Sequence, residues 1–157
     1  MAMSNLTEAS EALRMHESGV HVFFVRVYFE DTDAGGVVYY ANYLKFAERA
    51  RTEMLREFGV EHSRMIDDDG CAFAVRRCTA EFVKPARLDD LLEVHTRLMA
   101  VRGASLDFAQ DIKRHGVDLV TLRFGLACMS AAGRATRIPP LLRATLAHLW
   151  QQDRLSG

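Results

Sequence analysis

Three carboxylates stand close together in the sequence, immediately ahead of a pair of glycines. Glu30, Asp31 and Asp33 follow a strand-like run, and Gly35 and Gly36 precede a segment with helical periodicity. Glycine allows positive φ and a close approach of the backbone to a ligand. The first turn of a helix carries unpaired N–H groups and the positive end of its dipole, which polarise a carbonyl oxygen. A carboxylate ahead of such a helix can attack a polarised carbonyl carbon or activate a water molecule, which is the chemistry of acyl transfer.

The same residues also have a purely structural interpretation. An aspartate next to a helix start often caps the helix or supports a turn, and a Gly-Gly pair often serves only as a bend. For an isolated D-x-D-x-G-G pattern this structural role is the commoner one. The surrounding segment, YFEDTDAGGVVYYANY, is far more specific than that short pattern and shifts the balance toward chemistry.

The elements around this segment indicate an α+β fold. Residues 21–30 are rich in Val, Phe and Tyr and predict a first strand that enters a tight loop. Apolar residues at helical spacing from Tyr43 to Phe58 predict an amphipathic helix that ends near Gly59. Because the later connections are short and turn-forming, one long helix should pack on an antiparallel sheet of about five strands. The remaining elements are predicted as strands at residues 71–83, 91–101, 105–113 and 117–129 and a helix at 141–150.

The composition excludes several classes of function. The formal net charge of -1 offers no positive field to hold a nucleic acid. No apolar run approaches the roughly 20 residues of a membrane helix. Residues 1–20 lack the apolar core of a secretion signal. The sequence therefore predicts a cytoplasmic protein with a flexible arm at residues 1–20 and a single domain at residues 21–157. The cysteines have no metal-ligand spacing and are expected to be buried, reduced thiols: Cys71, Cys78 and Cys128.

The longer segment YFEDTDAGGVVYYANYLKFAERARTEML closely resembles the signature of the 4-hydroxybenzoyl-CoA thioesterase family. Within that family it is most similar to the YbgC-type acyl-CoA thioesterases associated with the Tol-Pal cell-envelope system of Gram-negative bacteria. The resemblance includes the tail GRATRIP ahead of the last helix. It implies the hot-dog fold, in which a long central helix is wrapped by a five-stranded antiparallel sheet. It also implies a homodimer joined edge to edge, or a homotetramer, with active sites at subunit interfaces.

The resemblance further implies hydrolysis of acyl-CoA to a free acid and coenzyme A. Neither a metal nor a cofactor is expected. The catalytic carboxylate of the family corresponds to Asp33, as nucleophile or general base, whereas Asp31 falls on a structural position. The thioester carbonyl is expected against the backbone N–H of Tyr40. YbgC-type members usually carry histidine at this position. Each of the six histidines here is expected to have a surface role, so a histidine-based mechanism is not expected.

Other residues are expected to bind the substrate. Tyr28 matches a recurring aromatic residue of the family and is assigned to the acyl pocket, with a position in the core as the alternative. Arg102, Arg134 and Arg137 fall in the coenzyme A-contacting region of the family, and a solvated surface role is their alternative. The predicted binding residues are Tyr28, Gly35, Gly36, Val37, Asn42, Arg102, Ser105, Arg134 and Arg137.

Two other functions stay open at this point. A non-catalytic hot-dog module would bind an acyl chain, acyl carrier protein or an envelope component, and the presence of the carboxylate, both glycines and Asn42 argues against it. A hot-dog dehydratase needs a histidine paired with a carboxylate, and no histidine lies between Val22 and His62. The length of the acyl chain cannot be read from periodicity.

Overall fold

The computed structural model describes residues 13–15 and 19–155. The strands are β1 Leu13–Met15, β2 His21–Arg26, β3 Cys71–Phe82, β4 Leu91–Val101, β5 Ser105–Arg114 and β6 Val117–Ser130. The helices are α1 Asn42–Glu57, α2 His62–Arg64 and α3 Pro140–Leu155, with a 3-10 turn at Phe29–Asp31 and a π-helical turn at Met65–Asp69. The predicted α+β order of a strand, a long helix, four strands and a last helix is confirmed. None of the helices in the described ranges is long and apolar enough to cross a membrane.

The strands form one antiparallel sheet in the order β1-β2-β4-β5-β6-β3. A five-stranded sheet was predicted, and the sixth strand, β1, adds three residues at the edge beside β2. Most of the predicted arm, residues 1–20, lies outside the described residues. Its flexibility and the limits of the domain stay predictions.

The first strand is shorter than its sequence suggests. Strand β2 ends at Arg26, and the 3-10 turn follows after two residues, although Tyr28 and Phe29 favour strands. The turn begins where Asp31 reaches back along the chain, because its Oδ2 accepts a hydrogen bond from the Tyr28 N–H at 2.8 Å. A local hydrogen bond of this kind competes with a sheet ladder.

Helix α1 packs its apolar side against the sheet, as the periodicity predicts. It ends at Glu57, and Gly59 has a φ of 80°, which glycine adopts without strain. The core under the helix is formed mainly by β4, β5 and β6, with buried residues that include Val94, Leu98, Phe108, Ile112 and Leu122. The buried residues of the helix itself are Tyr43, Phe46, Ala47, Ala50, Arg51, Met54 and Leu55.

A polar network lies inside this core between α1 and the sheet. Gln110 is fully buried, and its Nε2 donates to the Ala47 carbonyl at 2.9 Å and to Thr96 Oγ1 at 2.8 Å. Its Oε1 accepts from Arg51 Nη1 at 2.9 Å. The Arg51 guanidinium also lies 4.0 Å from the centre of the Phe124 ring. These contacts fix the middle of α1 against β4 and β5.

Strand β3 is an edge of the sheet and pairs only with β6 among the described strands. Much of it is exposed, including Val75 at 50% and Phe82 at 51%. Cys71 and Cys128 are buried as predicted, but the prediction for Cys78 is wrong, because this cysteine lies on the uncovered edge strand and is exposed. A long open edge strand ordinarily needs a partner or a cover.

Candidate active site

The loop between β2 and α1 folds back on itself as a small turn. Thr32 and Val38 form an isolated antiparallel bridge, and the Asp33 N–H donates to the Val37 carbonyl at 2.9 Å. The Gly36 N–H donates to the Asp33 carbonyl at 3.0 Å. Gly36 has a φ of 76°, a conformation that suits glycine. The turn therefore spans residues 33–37 and has Asp33 at its start.

The Asp33 side chain takes part in this turn with one of its two oxygens. Its Oδ1 accepts a hydrogen bond from the Gly35 N–H at 2.8 Å. A Cβ added at Gly35 would lie 3.2 Å from the same oxygen, closer than ordinary contact. Asp33 is exposed, and its Oδ2 forms no hydrogen bond with a described residue. Asp33 therefore supports the turn, as the structural interpretation of the sequence predicted. Only one carboxylate oxygen is used for this, so the other remains available for chemistry.

Hydrogen bonds attach this turn to the start of α1. The Tyr39 N–H and Asn42 Nδ2 both donate to the carbonyl of Asp31, each at 2.9 Å. The Asn42 N–H donates to the Tyr39 carbonyl at 2.9 Å. Asp31 therefore has a structural role, as expected, and the side chain of Asn42 is engaged in holding the loop. The carboxylate turn and the helix start form one connected unit.

Tyr40 lies two residues before α1, where helical dipoles present positive charge. Its backbone N–H has no hydrogen-bond acceptor within residues 13–15 and 19–155. Its ring is 60% exposed and packs edge-on against Phe82 of β3, with centroids 6.0 Å apart. A hydrogen bond with Tyr40 raises the pKa of the neighbouring Tyr39 hydroxyl. The position thus combines a free N–H donor with an aromatic surface.

Two more aromatic side chains, ahead of the Asp33 turn in the sequence, are exposed. Tyr28 is 61% exposed and Phe29 is 83% exposed, so a core position for Tyr28 is excluded in the single chain. Tyr43 of α1 is buried, and its hydroxyl accepts a hydrogen bond from the Ala86 N–H at 3.0 Å. Burial raises the pKa of that hydroxyl. An apolar patch that stays exposed on a folded chain marks a binding surface.

The predicted coenzyme A residues fall into two groups. Arg102 and Ser105 line a cavity of about 460 Å³ together with Arg76, Arg77 and Asp107. Arg102 Nη1 lies 2.8 Å from Asp107 Oδ2, and Arg77 Nη2 lies 3.9 Å from Asp107 Oδ1. Three guanidinium groups against one carboxylate leave this cavity with excess positive charge, which suits phosphate groups.

The other two predicted arginines lie beside this cavity rather than in its lining. Arg137 Nη1 is the heavy atom nearest to a Cβ built on Gly103, at 3.9 Å, so it lies over the turn that follows Arg102. Arg134 is exposed, and its N–H and carbonyl pair with Ser130 at the end of β6. The described residues hold no group of His, Cys, Asp and Glu side chains placed to bind a metal ion.

Comparison with known proteins identifies the family. The sequence model described as the thioesterase-like superfamily matches residues 27–146, which is most of the chain. The chain belongs to the thioesterase-like superfamily. The matched range includes the Asp33 turn, the start of α1 and the basic cavity.

Two relatives of this thioesterase-like chain are named as enzymes that act on acyl-CoA thioesters. It is 54% identical over 88 residues to an acyl-CoA thioester hydrolase YbgC of Escherichia coli O6:H1, covering 56% of this chain and 65% of that protein. That match spans just under two thirds of the relative's own length. An acyl-CoA thioesterase YbgC of Haemophilus influenzae is 40% identical over 128 residues, covering 81% of this chain and 94% of that protein.

Solved structures support the fold. The crystal structure of a probable thioesterase from Bartonella henselae superposes with a TM-score of 0.74 at 37% identity, covering 76% of this chain and 99% of that one. Together with the family match, this confirms the predicted hot-dog fold and the predicted resemblance.

Several residues of the thioesterase-like chain were missed or misplaced by sequence reasoning. Arg76 and Arg77 line the basic cavity, and the only sequence signal for them is an Arg-Arg pair inside an apolar strand. A β-bulge between Val75 and Arg77 sets their direction, and periodicity does not reveal a bulge. The surface role expected for every histidine is wrong for His21, which is fully buried where β2 pairs with both β1 and β4.

Proposed function

We propose that this chain hydrolyses acyl-CoA thioesters to a free acid and coenzyme A. The observation that carries the proposal is the attachment of the Asp33 turn to the start of α1, where the Tyr40 N–H has no acceptor among the described residues. Such an arrangement offers a carboxylate for a carbonyl carbon and a donor for its oxygen. The names of the Escherichia coli and Haemophilus influenzae relatives point to the same substrate class.

Two routes are compatible with this arrangement. In the first, Asp33 attacks the carbonyl carbon, the C–S bond breaks, coenzyme A leaves as a thiolate, and water then hydrolyses the mixed anhydride. In the second, Asp33 takes a proton from a water molecule whose oxygen bonds to the carbon, and the thiolate leaves and is protonated. A thiolate is a good leaving group, so neither route needs a serine triad. In both routes the Tyr40 N–H stabilises the developing oxyanion, a contribution of about 3 to 4 kcal/mol for one such donor.

We place the phosphates of coenzyme A at the basic cavity. Arg102 and Ser105 were expected there from the sequence, and Arg76 and Arg77 enlarge the set. Arg137 lies over the adjoining turn, so it can reach the rim of the same surface. Arginine pairs with phosphate through two parallel hydrogen bonds, which favours this cavity over surfaces that carry isolated lysines.

We further propose that the chain pairs with a second copy along β3. The edge strand is twelve residues long, and the candidate site beside it is exposed in the single chain. Pairing would cover the open edge and enclose the site between subunits. Sedimentation equilibrium should give twice or four times the chain mass of 17.7 kDa, and a mass of one chain would exclude this assembly. A cytoplasmic location stays a prediction.

The proposed activity is tested by thiol release over a panel of acyl-CoA thioesters, with acyl carrier protein thioesters as alternative donors. Asp33→Asn should lower kcat by on the order of 10³. The amide oxygen of asparagine still accepts the Gly35 N–H, so the unfolding midpoint should not change. Asp67→Asn, which replaces an exposed carboxylate on the π-helical turn, is the matched control.

Two results would count against the proposal. Saturable acyl-CoA binding by the wild-type chain without release of thiol would indicate a non-catalytic binding module. Wild-type turnover by Asp33→Asn would remove Asp33 from the mechanism.

A further inference from the structure

A half-open cavity lies between α1 and the face of β3 opposite to the basic cavity. Its volume is about 450 Å³, and its lining includes Leu44, Glu48 and Arg51 of α1, Val75 and Cys78 of β3, and Phe124 of β6. Strand β3 thus separates two cavities. Arg76 and Arg77 border the basic cavity, and Val75 and Cys78 border this second one.

The second cavity begins beside the candidate active site. Leu44 lies in the first turn of α1, four residues after Tyr40. On β3, Cys78 and Phe82 are four residues apart and share a face, and the Phe82 ring packs against Tyr40. From Leu44 to Arg51 the helix rises about 10 Å. An acyl group whose carbonyl lies at the Tyr40 N–H can therefore extend along α1 toward Arg51.

The far end of this cavity carries a cation with few partners. Arg51 is 5% exposed, yet it lines the cavity. Of its five N–H donors, one is used within the described part of the chain, by the bond from Nη1 to Gln110. Burial lowers the pKa of Arg51 to about 10, so it remains a cation at neutral pH.

No carboxylate of the described residues forms an ion pair with Arg51, although the nearby Glu48 carboxylate raises the pKa of Arg51 and so offsets part of the effect of burial. Glu48 lines the same cavity, but its Oε1 accepts a hydrogen bond from Thr52 Oγ1 at 2.9 Å, and it forms no ion pair with Arg51. Stacking on Phe124 and the hydrogen bond to Gln110 fix the position of the guanidinium. Neither residue carries a negative charge that would balance it. A buried charge without a counter-charge is costly, and an apolar residue would fill the same space more cheaply. An anionic group bound in the cavity would supply the ion pair that Glu48 does not form.

We propose that this cavity binds the acyl group and that Arg51 selects acyl groups whose far end carries a carboxylate, such as the mono-CoA thioesters of dicarboxylic acids. The inference rests on the proposed thioesterase function and names its substrate class. A guanidinium pairs with a carboxylate through two charge-assisted hydrogen bonds. A neutral acyl chain of equal length leaves the cation unpaired.

The test compares acyl-CoA pairs of equal chain length in the thiol-release assay with the full chain. The pairs are glutaryl-CoA and pentanoyl-CoA, adipoyl-CoA and hexanoyl-CoA, and suberoyl-CoA and octanoyl-CoA. At the length that spans the cavity, kcat/KM for the acidic member should exceed that of the neutral member by about tenfold or more. Arg51→Met should remove this ratio by lowering kcat/KM of the acidic member toward that of the neutral member. Arg56→Met, on the exposed side of the same helix, should leave both unchanged.

A second variant keeps the test valid if Arg51→Met fails to fold, which thermal unfolding will reveal. Cys78 is exposed and its thiol interacts electrostatically with Arg51, so Cys78→Asp supplies an internal carboxylate to the guanidinium. Cys78→Asp should lose the preference for acidic acyl groups, whereas Cys78→Ser should retain it.

The possible outcomes separate this inference from the proposed function. Equal or faster hydrolysis of the neutral member at every length would overturn the role of Arg51 and leave the thioesterase function standing. A preference for acidic acyl groups that persists in both Arg51→Met and Cys78→Asp would also overturn the role of Arg51 and leave the thioesterase function standing. If no thioester of the panel is hydrolysed, the proposed function itself fails.

Discussion

Replacing Gly35 with alanine should slow turnover without weakening the fold. The new Cβ would lie 3.2 Å from Asp33 Oδ1, so the carboxylate must move by a few tenths of an ångström. Gly35 does not have a positive φ, so alanine is not strained there. Misplacing a reacting group by about 1 Å can cost on the order of 10² in rate, so the smaller shift predicts a loss in kcat of roughly fivefold.

Gly36→Ala, at the adjacent position, is the matched control. Its φ is 76°, and no heavy atom lies within 4 Å of the added Cβ. Alanine in this left-handed conformation costs about 1 to 2 kcal/mol. For a chain of this size that lowers the unfolding midpoint by several degrees. The carboxylate itself is not crowded, so kcat should change little at temperatures well below the midpoint.

The assay measures kcat at saturating acyl-CoA together with the thermal unfolding midpoint of both variants. The expected pattern is a loss of rate alone for Gly35→Ala and a loss of stability alone for Gly36→Ala. If Gly35→Ala turns over like the wild type, or if the two effects are exchanged, the reasoning that the turn positions Asp33 for catalysis is refuted.

Two further predictions concern the core. Gln110→Leu removes the acceptor of Arg51 Nη1 and the donor to Thr96 in a buried network. The free energy of unfolding, measured in urea, should therefore fall by about 2 to 4 kcal/mol. Gln151→Leu, on the exposed part of α3, is the control and should have little effect. Burial lowers the pKa of His21 to about 4. Between about pH 6.5 and 4 the unfolded chain therefore binds a proton that the folded chain does not, and stability should fall as the pH is lowered through this window. The fall is at most about 3 kcal/mol, because Glu57 Oε2 lies 3.3 Å from His21 Nε2 and would pair with the protonated ring. His21→Gln should flatten that slope. An unchanged slope would contradict the assignment. The raised pKa of Glu57 acts in the opposite direction.

The sequence was sufficient for the elements and for the turn that carries Asp33. Both depend on local patterns: the spacing of apolar residues in α1, and glycines where the chain must reverse. The Asp31 link to α1 is also short in sequence, although its hydrogen bonds could not be assigned from the sequence alone. Local chemistry therefore predicted where the turn and the helix start lie, and the catalytic role of Asp33 stays a prediction.

The unpredicted features all depend on neighbours that are distant in sequence. Cys78 has the pattern of a buried strand residue and is exposed because β3 lies at the edge of the sheet. His21 is buried by the order in which strands pair, which periodicity does not contain. Arg51 belongs to a helical pattern of charged and apolar residues, and only the folded chain shows that its charge lies between α1, Gln110 and Phe124.

The carbonyl of Asp31, which receives both the Tyr39 N–H and the Asn42 amide, is a main-chain group. Substitution of the side chain at position 31 does not delete that acceptor, and substitution at position 39 by any residue except proline does not delete that donor. The attachment can therefore persist while the side chains around the entrance diverge. Homologues can change which molecules they accept without rebuilding the part of the loop that brings the carboxylate to the helix.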